Sequence, residues 1–414
     1  MGLYIRKIVS NATFYIFLAL LIFSFPKAIY ESAEFERRAI FTTFGFDKSE
    51  KGYEVTGLVL AQSEPQHISS NTQMVSAEGR DVSEALYKMS VNLGKEIGFA
   101  HCDTFIISDS LKDDDVAKIL DFCIRGSSLS QNSKLLTCKG SAKEVIKVNM
   151  EKKDQIGTSL ARSITNSSDY LSITDMDLKE FYNRYYSKSG FAWMTVVEVK
   201  EEEEESKENG GQGASSTSGG SSATTGGMEQ PNKSIKSEGQ VALYKKGKLK
   251  YILEDDVANF LNIMNPYSQM GYIYLENIQD GDKLIEKISL QIVQKSTDRD
   301  YYVQDGEVVC DVKIKLYLNV LSLRTDDIDV YEISETETHI TDAVKNAVNE
   351  YMQNNKDKLM EICEEIKTDV YQISNRIYQF ENKYWKESIS QEEKDNCFIE
   401  NVKINLKLDI ESKL

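Results

Sequence analysis

The sequence contains few of the residues and motifs from which catalytic and metal sites are built. It has only three histidines, His67, His101 and His339, and their spacing is not that of metal ligands. It also has no glycine-rich phosphate-binding loop, no GxSxG sequence and no HExxH sequence. The sequence therefore predicts no catalytic, cofactor-binding or metal-binding residue and no cofactor, and we expect that the protein is not an enzyme.

Closely spaced cysteines are also absent. The six cysteines are far apart and form no CxxC pair, which excludes the common zinc and dithiol motifs. Because most of them have apolar neighbours, we expect small buried side chains, with one or two disulfides as the alternative in an exported chain. They are Cys102, Cys123, Cys138, Cys310, Cys363 and Cys397.

Basic residues are in the minority. The chain has 49 Lys and Arg against 66 Asp and Glu, a net charge of −17, so we expect no nucleic-acid partner. With so many acidic residues, pairs such as Asp175 with Asp177 and Asp280 with Asp282 arise by chance, and we interpret them as turn and capping residues. A hydrolase that uses two carboxylates is the alternative.

Residues 1–28 have the composition of a membrane segment. Ile8–Phe25 gives 18 mainly apolar residues, close to the minimum that spans about 30 Å of hydrocarbon. Arg6 and Lys7 precede this run, so the positive-inside rule places the amino terminus in the cytoplasm and the remainder outside. Pro26-Lys27-Ala28 is a poor cleavage site, and we expect a signal anchor, with a cleaved signal peptide as the alternative.

Residues 29–190 are predicted to form an N-terminal domain. Two strands, 39–46 and 53–61, pair as a hairpin, and residues 75–140 have the pattern of a βαβαβ unit. Asp81 caps its first helix, and Asp113 to Asp115 stand where its second helix begins. We interpret this acidic triplet as capping, with metal binding as the alternative. Two more helices are predicted near 158–166 and 177–186.

Residues 191–296 are predicted to form a middle domain, which an insert at 201–240 interrupts. The insert passes from a run of glutamates into a Gly, Ser and Thr tract, so we expect a disordered linker, with an acidic binding segment as the alternative. Beyond it, Lys246-Gly247 predicts a tight turn between two strands, and 255–264 predicts a helix.

Residues 297–414 are predicted to form the C-terminal domain. Apolar side chains alternate strictly from Val308 to Val320 and again from Val402 to Ile410, as in strands with one covered face. The cover is expected from amphipathic helices between Ile340 and Phe380, with a break at Asn354-Asn355 and a coiled coil as the alternative. The predicted fold class is α+β: three mixed domains, each a sheet packed with helices, after the membrane segment.

Tyrosine is frequent and occurs in two clusters. One comprises Tyr182, Tyr185 and Tyr186, and the other Tyr267, Tyr272 and Tyr274. Tyrosine supplies a large contact area with a polar tip, which suits both packing and interfaces. We expect ordinary packing for these residues, with contact to a partner as the alternative. For His101, at the entrance of a predicted strand, we expect a structural hydrogen-bonding role, with a functional role as the alternative.

Several short motifs of the N-terminal domain occur together in a fixed order. They are Ser-Ala-Glu-Gly at 76–79, Gly-Phe-Ala-His at 98–101, Phe-Ile-Ile-Ser at 105–108, Leu-Asp-Phe at 120–122 with Arg125, and Cys-Lys-Gly at 138–140. This order resembles the N-terminal domain of the Ger(x)C family, the C subunits of bacterial spore germinant receptors. The spacing of the motifs is specific, although no single residue is.

The resemblance extends over nearly all of the chain after residue 30. Residues 44–47 and 51–56 are similar to the family's first hairpin, and 241–253 to the hairpin of its middle domain. Gly306-Glu307 with the strand that follows, and 401–406, are similar to its C-terminal domain. The insert has no counterpart in this resemblance.

The resemblance implies a non-enzymatic subunit of a spore germinant receptor that acts in assembly or signalling when a nutrient is sensed. It implies the membrane as a partner, together with a multi-spanning A-type subunit and a transporter-like B-type subunit. The protein would lie at the spore inner membrane, with its folded domains on the outer face. Whether this subunit contacts a nutrient is left open.

One family feature is missing. Members usually carry a lipid-modified cysteine followed by Trp and Asp, whereas Ile29-Tyr30-Glu31 stands at that place here, so lipidation there is chemically impossible. This departure keeps a second function open: an envelope scaffold or interaction protein that kept the fold without membership of a receptor.

Overall fold

The computed structural model of the chain describes Phe17 and residues 37–60, 72–125, 130–156, 176–201, 233–265, 271–325 and 340–412. The rest of the predicted membrane segment, the predicted helix near 158–166 and positions 202–232 of the insert lie outside these residues. The prediction of a disordered linker over 201–240 is wrong at its two ends, because residue 201 ends one strand and residues 233–236 form another that pairs with it. Within them, no helix is both long enough and apolar enough to cross a bilayer.

The first sheet contains ten of the described strands. In chain order they are β1 Arg38–Ser49, β2 Gly52–Leu60, β3 Thr72–Gly79, β4 Glu96–Gly98, β5 Thr104–Ser108, β6 Lys134–Lys139, β7 Phe191–Glu201, β8 Lys233–Lys236, β9 Val241–Lys245 and β10 Lys248–Leu253. The order across the sheet is β10-β9-β7-β6-β5-β1-β2-β3, with β4 beside β1 and β8 beside β7. The predicted hairpin of β1 and β2 is confirmed.

Helices cover both faces of this sheet. The described helices of this part are α1 Val82–Leu93, α2 Val116–Arg125, α3 Ala142–Ile156 and α4 Leu178–Tyr185. Side chains of α1, α2 and α4 belong to one continuous core, whereas α3 packs in a separate cluster with Leu58, Ile106 and Leu136. The β1, β5, β6 and β7 strands are parallel to one another, and their crossovers need helices on the faces of the sheet.

The helix ends follow the local chemistry of the sequence. The Asp81 carboxylate accepts the backbone N–H of Glu84 at 2.8 Å, and Gly94 ends α1 with φ 64°. The cap of α3 comes instead from a distant strand, since Asp47 of β1 accepts the N–H groups of Ala142 at 2.8 Å and Lys143 at 3.0 Å. Burial raises the pKa of Asp47, and these two N–H groups oppose the rise.

The second sheet has four described strands, β11 Gly271–Asp280, β12 Lys283–Gln304, β13 Glu307–Thr325 and β14 Lys403–Ser412, in this order. The helices that follow the first sheet in the chain are α5 Asp255–Met264, α6 Asp342–Glu365, α7 Ile373–Phe380, α8 Asn382–Glu387 and α9 Gln391–Asn396. The strands predicted from the alternation after Val308 and after Val402 are confirmed as β13 and β14.

One predicted helix break is wrong. The α6 helix continues through Asn354 and Asn355, and Asn355 is only 3% exposed. The Asn355 side-chain amide donates to the carbonyl of Tyr351 at 2.9 Å, one turn earlier, so its N–H group is satisfied inside the helix, whereas its buried Oδ1 has no hydrogen-bond partner within the described residues. The chain turns later, where Lys367 and Gln372 both have positive φ.

The predicted mixture of sheets and helices is confirmed, and the described strands form two sheets. The strands β7, β9 and β10, which we assigned to a middle domain, extend the first sheet. The β12 strand runs without interruption through residue 296, where the C-terminal domain was predicted to follow the middle one. The division at 190 and 296 into three domains stays a prediction.

A cluster of hydrogen bonds joins the two sheets at the carboxyl end of α5. The Lys295 ammonium of β12 donates to the carbonyls of Asn262 at 3.0 Å and Asn265 at 2.7 Å, and also to that of Ile263. Arg299 donates to the carbonyl of Met264 at 2.8 Å. Four consecutive carbonyls at the negative end of the helix dipole are thus satisfied by cations of the second sheet.

The Lys295 ammonium is largely shielded from solvent. Burial, and to a smaller extent the positive charge of Arg299, lower the pKa of Lys295 to about 7. The three carbonyl oxygens that accept from Lys295 oppose this shift, because they favour the charged form. Burial is the larger effect, so the protonation of Lys295 changes within the neutral and mildly basic range.

We predict that Lys295→Met destabilises the protein by about 3 kcal/mol, because it leaves buried carbonyls without donors. Lys287→Met is the matched control on the same strand: Lys287 is 65% exposed and pairs with Glu276, so we expect a loss below about 1 kcal/mol. The measurement is urea unfolding of the full-length protein in detergent. Equal losses in the two variants would contradict a structural role for Lys295.

The two tryptophans allow each sheet to be followed separately, since Trp193 lies in β7 and Trp385 in α8. The unfolding transition around each tryptophan is measured by fluorescence in a variant that retains only that tryptophan. We expect the two transitions to coincide in the parent protein and to separate in Lys295→Met, because the substitution removes a connection between the sheets.

We also predict that the stability difference between the parent protein and Lys295→Met changes with pH. The folded-state pKa of Lys295, about 7, lies below the ordinary 10.5, so between these values the unfolded chain holds a proton that the folded chain releases. The contribution of Lys295 to the free energy of unfolding therefore rises from pH 7 to pH 10. Urea unfolding across this range tests it, and a difference that stays constant with pH would show that the pKa is unshifted.

Candidate functional site

A cleft of about 700 Å³ lies where α1, α2 and β2 begin. Its walls carry the carboxylates of Asp81, Asp113 to Asp115 and Asp121. The ammonium groups of Lys118 and Lys248 and the ring of Tyr53 also line it. The acidic triplet that the sequence placed at a helix start therefore faces a recess that other segments complete.

The start of α1 forms one wall of the cleft. Asp81 caps this helix, and the Glu84 carboxylate accepts both the backbone N–H and the side chain of Arg80, each at 2.9 Å. These bonds, together with the Lys88 ammonium at 3.1 Å, lower the pKa of Glu84 to about 2. The first turn of α1 therefore keeps its negative charge over the whole physiological range of pH.

The start of α2 forms a second wall. One oxygen of Asp115 accepts the backbone N–H of Ala117 at 3.0 Å, and the other accepts the hydroxyl of Tyr185 at 3.0 Å. The N–H of Val116 donates to the carbonyl of Gly247, in the turn between β9 and β10, at 2.9 Å. The interpretation of Asp115 as a capping residue is confirmed, and the cap also fixes a distant hairpin.

Asp114 connects α2 to the first hairpin. Its carboxylate accepts the hydroxyl of Tyr53 and the ammonium of Lys48, each at 2.8 Å. Burial, together with the hydrogen bond to Asp114 and the charge of that carboxylate, raises the pKa of Tyr53 to about 12. The Tyr53 hydroxyl therefore remains a donor, and it is not prepared to act as a base.

The arrangement in the cleft is suited to holding helices and a hairpin in place. Asp81, Asp114 and Asp115 each accept hydrogen bonds from the protein itself. The capping carboxylates also offset the positive ends of the two helix dipoles, so the cleft is not an anion site. Within the described residues, no group of three or more His, Cys, Asp or Glu side chains is arranged to hold a metal ion.

The other polar residues that the sequence singled out are dispersed. Asp177 caps α4 by accepting the N–H of Glu180 at 2.8 Å, as expected for a capping residue. Asp280 and Asp282 flank the turn between β11 and β12, at Gly281, whose φ is 61°. His101 is exposed between β4 and β5. Asp175, His67 and His339 lie outside the described residues.

The tyrosine clusters divide into packed and exposed members. Tyr182 donates to the carbonyl of Ala117 at 2.7 Å, and Tyr185 donates to Asp115, so both rings support α2. Tyr186 is 76% exposed. In the second cluster, the rings of Tyr272 and Tyr274 are stacked, and Tyr274 is 65% exposed, whereas Tyr267 lies outside the described residues.

The cysteines whose side chains the structure describes are buried free thiols, as expected for small packing residues. They are Cys102, Cys138, Cys310, Cys363 and Cys397. Burial raises the pKa of Cys310 to about 12, and it also raises the pKa of Cys102, Cys138 and Cys363. Such thiols stay protonated and are poor nucleophiles.

A further surface was not predicted from the sequence. We define the α7 surface as Tyr186, Lys188, Arg376, Tyr378 and Phe380. Phe380 was expected in the buried stripe of the helices, and this is wrong, since its side chain is 68% exposed. Phe380 continues the helical spacing of Ile373 and Ile377, but it is the last residue of α7.

The comparisons with known proteins concern both halves of the chain. Residues 31–199 match the family model described as the spore germination protein N-terminal domain. Residues 239–413 match the model described as spore germination B3/GerAC like, C-terminal. The comparison with curated proteins found no match.

One similar solved structure is the crystal structure of the GerBC protein. It is 15% identical in sequence, with a TM-score of 0.47, and the alignment covers 90% of this chain and 97% of that one. The assignment rests on the two domain matches, which stand in the expected order and leave out only residues 1–30, 200–238 and 414. The chain belongs to the Ger(x)C family of spore germination proteins.

Proposed function

We propose that the protein is a membrane-tethered C subunit of a spore germinant receptor. It acts in assembly or signalling, together with a multi-spanning A-type subunit and a transporter-like B-type subunit. Its folded part lies on the outer face of the spore inner membrane, and residues 1–28 hold it there. The observation that carries this proposal is the match of both family domains, at residues 31–199 and 239–413.

The chemistry of the described residues supports binding over catalysis. The cleft carboxylates of Asp81 and Asp115 cap helices, and that of Asp114 pairs with Lys48 and Tyr53. The described thiols with raised pKa values remain protonated. A two-carboxylate hydrolase needs one acid and one base free to reach a substrate. Asp114 and Asp115 instead connect α2 to the first hairpin and to α4, a structural task.

A second candidate function is an envelope scaffold without receptor partners. Its support is the sequence Ile29-Tyr30-Glu31, which stands where family members usually carry a lipid-modified cysteine. The two candidates differ in one respect that can be measured: only a receptor subunit is required for the response to a nutrient.

We predict that spores without this gene lose the response to at least one nutrient, because a receptor without its C subunit does not assemble or signal. The measurement is dipicolinate release from purified spores after each nutrient of a panel is added. Spores in which the intact gene is restored are the control and should respond as the parent does. An unchanged response of the deletion spores to every nutrient would favour the scaffold.

We predict that Leu18→Arg with Leu21→Arg releases the full chain from the membrane fraction. Each arginine at the centre of a membrane helix costs about 2.5–3.5 kcal/mol, which exceeds what two leucines contribute. The protein is expressed without other receptor subunits, and membranes are washed at high pH. Leu18→Val with Leu21→Val is the matched control and should stay in the membrane pellet. Retention of the arginine variant would contradict anchoring by this segment.

A further inference from the structure

The α7 surface combines exposed rings and cations from two distant segments of the chain. Phe380 is 68% exposed, Tyr378 is 38% exposed and Tyr186 is 76% exposed. Lys188, in the loop between α4 and β7, holds its ammonium 4.7 Å from the ring centroid of Tyr378. The fold thus brings the loop after α4 against a helix almost two hundred residues later in the sequence.

The cations of this surface contact rings instead of carboxylates. The Arg376 guanidinium lies 5.8 Å from the ring of Phe380 and 5.8 Å from the ring of Tyr301. Within the described part of the chain, neither Lys188 nor Arg376 has an ion-pair partner. The α7 helix itself, ISNRIYQF, contains no acidic residue. Lys188 lies on the Tyr378 side of α7 and Arg376 on the Phe380 side. In a chain of net charge −17, two exposed cations without carboxylate partners on one exposed helix and the loop beside it favour an external negative charge.

Two other exposed aromatic residues, Tyr87 and Tyr274, lie beside charges that are already paired. Tyr87 is 70% exposed on α1, where Glu84 pairs with Arg80 and Lys88. Tyr274 is 65% exposed on β11, next to the pair of Lys287 with Glu276. The charges at those places are satisfied within the protein, so they offer a partner less electrostatic attraction than the α7 surface does.

The side chains of the α7 surface are also held in position before any partner arrives. Tyr378 packs edge-on against Trp385 at 5.8 Å, and Trp385 is buried. The contacts of Lys188 and Arg376 with rings restrict the two cations. Binding therefore costs less conformational entropy, and tyrosine, phenylalanine and arginine are residue types on which interfaces depend.

We propose that the α7 surface binds an acidic segment, with apolar side chains between its carboxylates, of another subunit of the same receptor. The inference rests on the proposed function. Carboxylates of the partner pair with Lys188 and Arg376, and its apolar side chains cover Phe380 and Tyr378. The surplus of negative charge elsewhere on this chain repels an acidic partner, so the surface also selects where the partner docks.

The test is site-specific photo-crosslinking of the full chain in spores. A photoreactive amino acid is placed at Gln379, which is exposed on α7, and at Tyr87 and Tyr274 in two separate variants. Cross-linked products are identified by mass spectrometry. We expect the variant at position 379 to cross-link to an A-type or B-type subunit, through a peptide rich in Asp or Glu.

Charge reversal tests the chemistry of the contact. Lys188→Glu with Arg376→Glu should lower the cross-linked yield at position 379 by about tenfold or more, because attraction becomes repulsion. Lys358→Glu, at an exposed position of α6, is the matched control and should leave the yield unchanged. Tryptophan fluorescence of the purified variants shows whether they fold as the parent does.

The outcomes separate this inference from the proposed function. Cross-links to receptor subunits at position 87 or 274 alone would overturn the inference and keep the proposed function. Cross-links at position 379 to lipid, to a second copy of this chain or to a basic peptide would also overturn it. Two results together would overturn the proposed function as well. These are the absence of a cross-link to a receptor subunit at any of the three positions, and a normal nutrient response of spores that lack the gene.

Discussion

The arrangement of the two sheets depends on how the carboxyl end of α5 is satisfied. A helix leaves its last carbonyls without partners, and here those of Asn262 to Asn265 accept from Lys295 and Arg299 of the second sheet. The α5 helix follows directly on the last strand of the first sheet. The hydrogen bonds that satisfy the last carbonyls of α5 therefore also connect the two sheets. Removing these bonds would leave the helix end without donors and would also weaken the connection between the sheets.

Further contacts extend this connection toward the surface. Lys245, at the end of β9, donates to the carbonyl of Lys367, and Lys246, in the turn that follows, donates to that of Asp395 at 3.0 Å. The same turn accepts the N–H of Val116 at the cleft, through Gly247. One hairpin therefore contacts the acidic cleft on one side and the segments around α7 and α9 on the other. The hairpin thus connects the cleft to the segments that precede α7 and form α9.

Local features were predictable from the sequence, and distant pairings were not. Asp81 and Gly94 delimit α1 because capping is chemistry between near neighbours, and β13 was visible because alternation is a property of one strand. Lys295 reads in the sequence as one more polar position of a strand, and nothing near it indicates burial against α5. The α7 surface needs Lys188 and Tyr378 together, and no spacing along the chain records that contact.

The small size of the α7 surface is compatible with a role in a stable assembly. Five side chains make a patch well below a standard interface of about 1,600 Å², and two free proteins that met only there would bind weakly. Under the proposed function, residues 1–28 hold the subunit at a bilayer, so that it would meet its partners within one plane, which raises their effective concentration. Weak docking then suffices for assembly, and it leaves the contact able to break when the receptor responds.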